Sequence, residues 1–284
     1  MSKSTRSTSK RKPATPSGGS GETTTFVEEI KVTMDSLMVK VKDETPLPAN
    51  FRRELLVELY VARSILFAAF TLGLRLGGLS LFYTPLRVFG SLVILPVTYL
   101  VLPLFGLTLV SLYINKKVDL NIHELRCLLI GWALLCGVFS TAANIHYSLT
   151  DAGAPSYFMP ILVGIMISAM GNSFDSNRKH FVAIAIAPSA LVAVTLLLLT
   201  DRFGMVSLFV VVLSTINAVI ALQLMVFDVK HDASKIRAEA VHVTGIIFNM
   251  ILYLITFRLF GTYIDNPSAN NIHNAVPIQT AFFG

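Results

Sequence analysis

The chain has 284 residues, 54% of them hydrophobic and 14% charged, with a mean hydropathy of +0.66. An ordinary soluble domain carries charge on about a quarter of its residues, so this composition excludes one and indicates an integral membrane protein. The net charge is +6, but where the basic residues lie says more about partners than their sum does.

Residues 1–25 are rich in Ser, Thr, Lys, Arg, Gly and Pro, with too little apolar surface to offset the entropy of ordering, which predicts a disordered basic tail. No apolar h-region follows within thirty residues, as a secretory signal needs, and the basic residues lack the apolar face of a mitochondrial presequence. No aromatic residue interleaves the charges as a stacking platform, which argues against nucleic acid. The tail is expected to lie in the cytoplasm against anionic lipids, each Lys or Arg near the surface contributing about 1 kcal/mol. Residues 26–63 read as a cytoplasmic amphipathic and juxtamembrane segment. Phe26, Ile30, Met34, Leu37 and Val41 recur at steps of three and four, one face of a helix suited to a bilayer or a partner. Pro46 and Pro48 then force extended chain, and Asn50 suits the N-cap of the helix that follows.

From there to position 262, apolar runs of about 20 residues, long enough to cross the hydrocarbon, follow one another. They predict an all-α polytopic transmembrane helical bundle of about seven spans: 64–84, 88–114, 128–149, 152–171, 181–200, 205–227 and 244–262. The span at 152–171 reaches full length only by including "AGAP". Residues 263–284 form a short tail on the far side. Counted over short loops, 19 of the 23 Lys and Arg fall on the side of the N-terminus and only Arg87 and Arg202 on the other. The positive-inside rule therefore predicts a cytoplasmic N-terminus and a non-cytoplasmic C-terminus.

All seventeen Asp and Glu lie outside these predicted spans, which takes away the intramembrane carboxylates of proton-coupled transporters and aspartyl proteases. "HELRC" at 123–127 begins like H-E-x-x-H but has Cys127 where the second His belongs. Cys127 and Cys136, nine apart, match no metal or redox spacing. Five of the six His fall in predicted loops, tails or interfaces; only His146, with Asn144, sits near the end of a span. No nucleophile elbow or phosphate loop is present, and no cofactor or metal is implied. Arg75 falls about 13 Å from the outer end of the first span, so Arg75, Asn144 and His146 are candidates for holding an anionic ligand or lipid head group. Helix packing is assigned to Gly73 and Gly77, to Gly164 and Ser168, and to the polar residues Asn217, Gln223 and Asn249, which must find partners in lipid. Asn217 and Gln223, six apart, make no stripe, which argues against a continuous pore. These features point to a non-enzymatic subunit, scaffold or receptor-like component of a membrane assembly, with a protein partner in the membrane. The alternative is a transporter or channel for a weakly polar or apolar solute.

Overall fold

The structure, a computed structural model, describes residues 28, 31, 35–78, 101–110, 121–144, 146–149, 158–171, 177–201, 203–231 and 235–264. The chain divides into two units, Met1–Val39 and Lys40–Gly284. Tail residues 1–25 lie outside the described residues, as do Phe26, Ile30 and Met34 of the proposed amphipathic face; residues 35–41 are helical.

In the second unit the helices are α1 (Arg53–Gly78), α2 (Val101–Val110), α3 (Ile122–Ala143), α4 (Phe158–Ala169), α5 (Arg178–Leu199), α6 (Met205–Lys230) and α7 (Lys235–Phe260). Among the described residues five of these, α1, α3, α5, α6 and α7, are long and apolar enough to cross a membrane. The predicted span at 88–114 is described only as α2, and that at 152–171 holds the twelve-residue α4.

Local chemistry sets several boundaries. Asn121 caps α3: its Oδ1 accepts from the His123 N–H, and Glu124 Oε2 accepts from the Asn121 N–H, a reciprocal capping box. Asn177 Oδ1 accepts from the His180 N–H at the start of α5. α1 starts at Arg53 rather than directly after Asn50, which lies in a turn. Between α5 and α6 the chain reverses at Asp201, φ 52°, a left-handed conformation that a short polar side chain tolerates. Several hydroxyls on the apolar helices are satisfied within their own turn, as those of Thr71, Thr195, Thr215 and Thr256 donate to carbonyls four residues earlier. Lipid offers no alternative partner.

α1 and α3 run parallel. Glu58 meets Arg126 near their starts, and the Thr141 hydroxyl donates to the Leu74 carbonyl at 2.8 Å near their ends. Backbones touch along this seam: a Cβ on Gly73 would overlap the Leu134 carbonyl oxygen, one on Gly137 the Phe70 carbonyl oxygen, and one on Gly77 would lie 2.7 Å from the Val138 oxygen. α7 runs parallel to both, joined to α3 at its start by Arg126–Glu239 and at its end by the two-residue strands β1 (Tyr147–Ser148) and β2 (Thr262–Tyr263), which pair antiparallel. The core between these helices holds Leu66, Phe70, Leu129, Trp132, Val243 and Ile246. Trp132 Nε1 also donates to the Leu102 carbonyl of α2 at 2.9 Å.

Because a Cβ at Gly73 or Gly137 must push the two backbones apart, Gly73→Ala and Gly137→Ala should each destabilise the protein by about 1–3 kcal/mol. Gly131→Ala, on the same helix as Gly137 but with nothing within 4 Å of the added carbon, should be neutral or slightly stabilising. Thermal unfolding in detergent compares the three; equal losses would overturn the seam.

Candidate functional site

The helices extend beyond the predicted spans and take in carboxylates placed outside them. α7 begins at Lys235, not 244, and its apolar stretch Ala238–Phe260 includes Glu239. α1 begins well before 64 and includes Glu58, and α6 runs past 227 to include Asp228. Hydropathy ends a span at the first charge. Here the charges are carried into the helices because each meets a partner across the bundle.

Glu239 has no exposed surface. Its Oε1 accepts from Arg126 Nε at 2.7 Å and lies 2.6 Å from Arg126 Nη2, which also reaches Glu58 Oε1 at 2.9 Å. One turn on, His242 is also wholly buried, a second correction, since five histidines were placed in loops, tails or interfaces. Its Nε2 sits 3.1 Å from Glu239 Oε2, in ion-pair range but outside hydrogen-bond geometry; Nδ1 is buried without a partner. The side chains grade from solvent inwards: Glu58 is 38% exposed, Arg126 18%, and Glu239 and His242 0%.

Further along the same face of α7, Gly245 supports the guanidinium of Arg63 from α1; a Cβ there would come within 2.5 Å of Nη2. Arg63 is 2% exposed, donates to the Val241 carbonyl at 3.3 Å and to Asn217 Oδ1 of α6 at 3.4 Å, and lies 4.9 Å from the centre of the Phe67 ring. Beside it Tyr60, Arg63, Phe67, Ser214, Asn217 and Asn249 line a narrow cavity with about 10 Å³ open to the centre of a water-sized sphere. Glu239, His242, Gly245 and Asn249 follow at steps of three, three and four. Three polar side chains and a glycine thus share one face of α7.

Paired charges also rim the end of the bundle where α1, α3, α5 and α7 begin. Arg178 is buried and directs Nε and Nη2 to Gln223 Oε1 at 2.9 and 2.7 Å. Lys40 Nζ meets the buried Asp228 at 3.1 Å, and Lys230 binds Thr45 and Asp43. Asp43 is pulled up by burial, but hydrogen bonds from the Thr45 side chain and backbone and the nearby Lys230 ammonium outweigh this and hold its carboxyl below the ordinary value.

The other predicted site residues are scattered. Arg75 lies half-buried in the last turn of α1, where a cation suits the carbonyl end of the helix; no carboxylate among the described residues pairs with it. Asn144 caps the end of α3 and donates to the Ser140 carbonyl at 3.0 Å, while its Oδ1 is buried without a partner, so no Arg75–Asn144 bond forms. His146 is exposed, with Nδ1 3.3 Å from the Ile264 oxygen and its ring stacked on Tyr263. Gly164 sits on α1, where a Cβ would be 3.2 Å from that of Tyr60, and Ser168 is exposed.

Five apolar helices of crossing length among the described residues are compatible with an integral membrane protein. The chain matches no protein-family model, no curated protein and no solved structure.

Two predictions follow from the pairing. Arg126→Met strands Glu239 in the core and should cost about 3–5 kcal/mol. Adding Glu239→Gln to it should recover more than half, and strictly additive losses in this thermodynamic cycle would show that the two do not interact. Asp43 has a depressed pKa in the folded state, so its stabilising effect is present above about pH 3.9 and is lost as pH falls through the lower folded value. In protein carrying ¹³C-labelled aspartate its carboxyl should titrate below about 3.9, and Lys230→Met should raise the midpoint; an unmoved midpoint would remove Lys230 from the cause.

Proposed function

We propose that the protein is a seven-crossing transporter in which Glu239 and His242 handle a proton and the polar face of α7 lines the route. The observation that carries this reading is a carboxylate and an imidazole, both fully buried in one apolar helix and 3.1 Å apart. Ionisable groups are expensive in the membrane and usually mark ion or substrate pathways. Glu58 and Arg126 give the pair a graded link to water at one end, and the distance suits transfer of a proton between Nε2 and Oε2 once the angle closes.

Seven crossings are supported by the parallel run of α1 and α3 and by α5, which begins beside the start of α1, where Arg53 lies 5.9 Å from the centre of the Phe181 ring. Parallel neighbours require the chain to return between them, and each return segment contains one apolar helix, α2 or α4. The basic loops then favour a cytoplasmic N-terminus. A second reading, a non-enzymatic subunit or scaffold of a membrane assembly, draws on α5. Only 22% of its apolar window is buried within the chain, against 61% for α1, leaving Leu191, Leu198 and Leu199 for lipid or a partner helix.

Liposomes containing the full chain and an internal pH dye should acidify or alkalinise when a potassium diffusion potential is imposed, and His242→Gln should slow this at least ten-fold while the protein stays monodisperse. Flux equal to that of empty liposomes, or unchanged in the variant, would overturn the transport reading. A stoichiometric co-purifying membrane protein would then favour the second. Tags on the two ends should be accessible from opposite sides of sealed vesicles; accessibility from the same side would mean an even number of crossings.

A further inference from the structure

Arg63 presents a different problem from Glu239. It is buried in the bundle, yet no carboxylate among the described residues pairs with it, and its hydrogen-bond partners are a carbonyl and a side-chain amide at long range, 3.3 and 3.4 Å. A buried charge held only by neutral dipoles and a ring face is costly. The cavity beside it is lined by three further buried atoms that have no hydrogen-bond partner: Tyr60 Oη, Ser214 Oγ and Asn249 Nδ2. Each can donate a hydrogen bond. Tyr60 is 1% exposed and Asn249 6%, so bulk water does not satisfy them.

A guanidinium and three unused donors, contributed by α1, α6 and α7, thus converge on one small space. We infer that this cavity binds a single small monovalent inorganic anion of halide size. A water molecule would satisfy the hydroxyls and the amide but leave the charge of Arg63 uncompensated. The open space, about 10 Å³ for sphere centres, is close to the minimum for one water. A chloride, somewhat larger than water, enters with a small outward shift of the lining side chains, whereas a carboxylate or phosphate is too large. Gly245 is part of the arrangement, because any side chain there would displace the guanidinium from the cavity wall. The site shares Gly245 and Asn249 with the polar face of α7, but its test reads equilibrium binding and needs no gradient, so its failure is distinguishable from failure of the transport reading.

The test uses the full chain in lipid nanodiscs, with unfolding followed by fluorescence of Trp132, the one tryptophan in the sequence. Sodium chloride and sodium bromide are titrated against sodium gluconate at constant ionic strength. The expected result is a saturable rise in melting temperature with chloride and bromide and none with gluconate. Tyr60→Phe and Asn249→Leu, which each remove one donor, should raise the half-saturating concentration about ten-fold, the worth of a hydrogen bond to a charged group. Arg63→Gln should abolish the response, but it also removes a core contact, so the two milder variants carry the test. An equal response to gluconate, or an unchanged half-saturation in both milder variants, would overturn the proposal and leave a cavity for one water.

Discussion

A carboxylate with no exposed surface needs a cation, and the end of the bundle where α1, α3 and α7 begin is arranged around that requirement. Glu239 takes two contacts from Arg126, and Arg126 in turn holds Glu58. These residues come from the second turns of α7, α3 and α1 respectively, so satisfying one charge fixes the axial register of three helices together. At low dielectric such contacts are strong but geometrically demanding. The far ends of α3 and α7 are tied again by the short β1–β2 pairing and by Arg258, which donates to the Tyr147 hydroxyl at 2.7 Å.

Register alone would not bring the helices close. The α1–α3 seam does so by removing side chains where the axes approach, at Gly73, Gly77 and Gly137, so that carbonyls of one helix touch the backbone of the other. Without a hydrophobic drive between helices in lipid, close packing of this kind is a main source of association. The seam also has a topological consequence. Two helices that start at the same end and touch along their length leave the chain between them to return elsewhere, which is why α2 stands outside the α1–α3 contact. Trp132 then anchors α2 to α3 through the Leu102 carbonyl.

The apolar stretches were legible because hydrophobic run length reports burial in lipid directly. What failed was their ends. Arg126 and Glu239 are 113 positions apart, and a hydropathy window counts each as a lone charge, ending the helix where the folded protein continues it. Starting the last span at 244 cut the sequence Glu239, His242, Gly245, Asn249 in two, although its three- and four-residue steps are visible once the helix is allowed to begin at 235. The glycines were readable as packing residues, but not the surface they meet, since spacing along one helix carries no information about its neighbour. Arg63 was missed for the same reason: it read as a loop cation, and only Gly245, Asn217 and the Val241 carbonyl, from two other helices, make it a core residue.

The depth of the polar face bears on what kind of transport it could serve. From Glu239 to Asn249 is ten residues, about 15 Å along the axis, roughly half of the 30 Å hydrocarbon. Beyond Asn249 the character of α7 changes. Leu252 and Phe257 are buried, the Thr256 hydroxyl is consumed by the Leu252 carbonyl, and Phe257 packs with Leu149 against Tyr147, Val206 and Tyr253. The polar face of α7 therefore begins at the end that carries the paired charges and gives way to apolar packing by α6, α7 and the segment after α3. A channel needs a polar lining through its full length, whereas a carrier needs polar groups near mid-depth and one closed side at a time. Under the proposed transport reading the arrangement fits the second, with this apolar packing as the part that would have to separate for the other side to open.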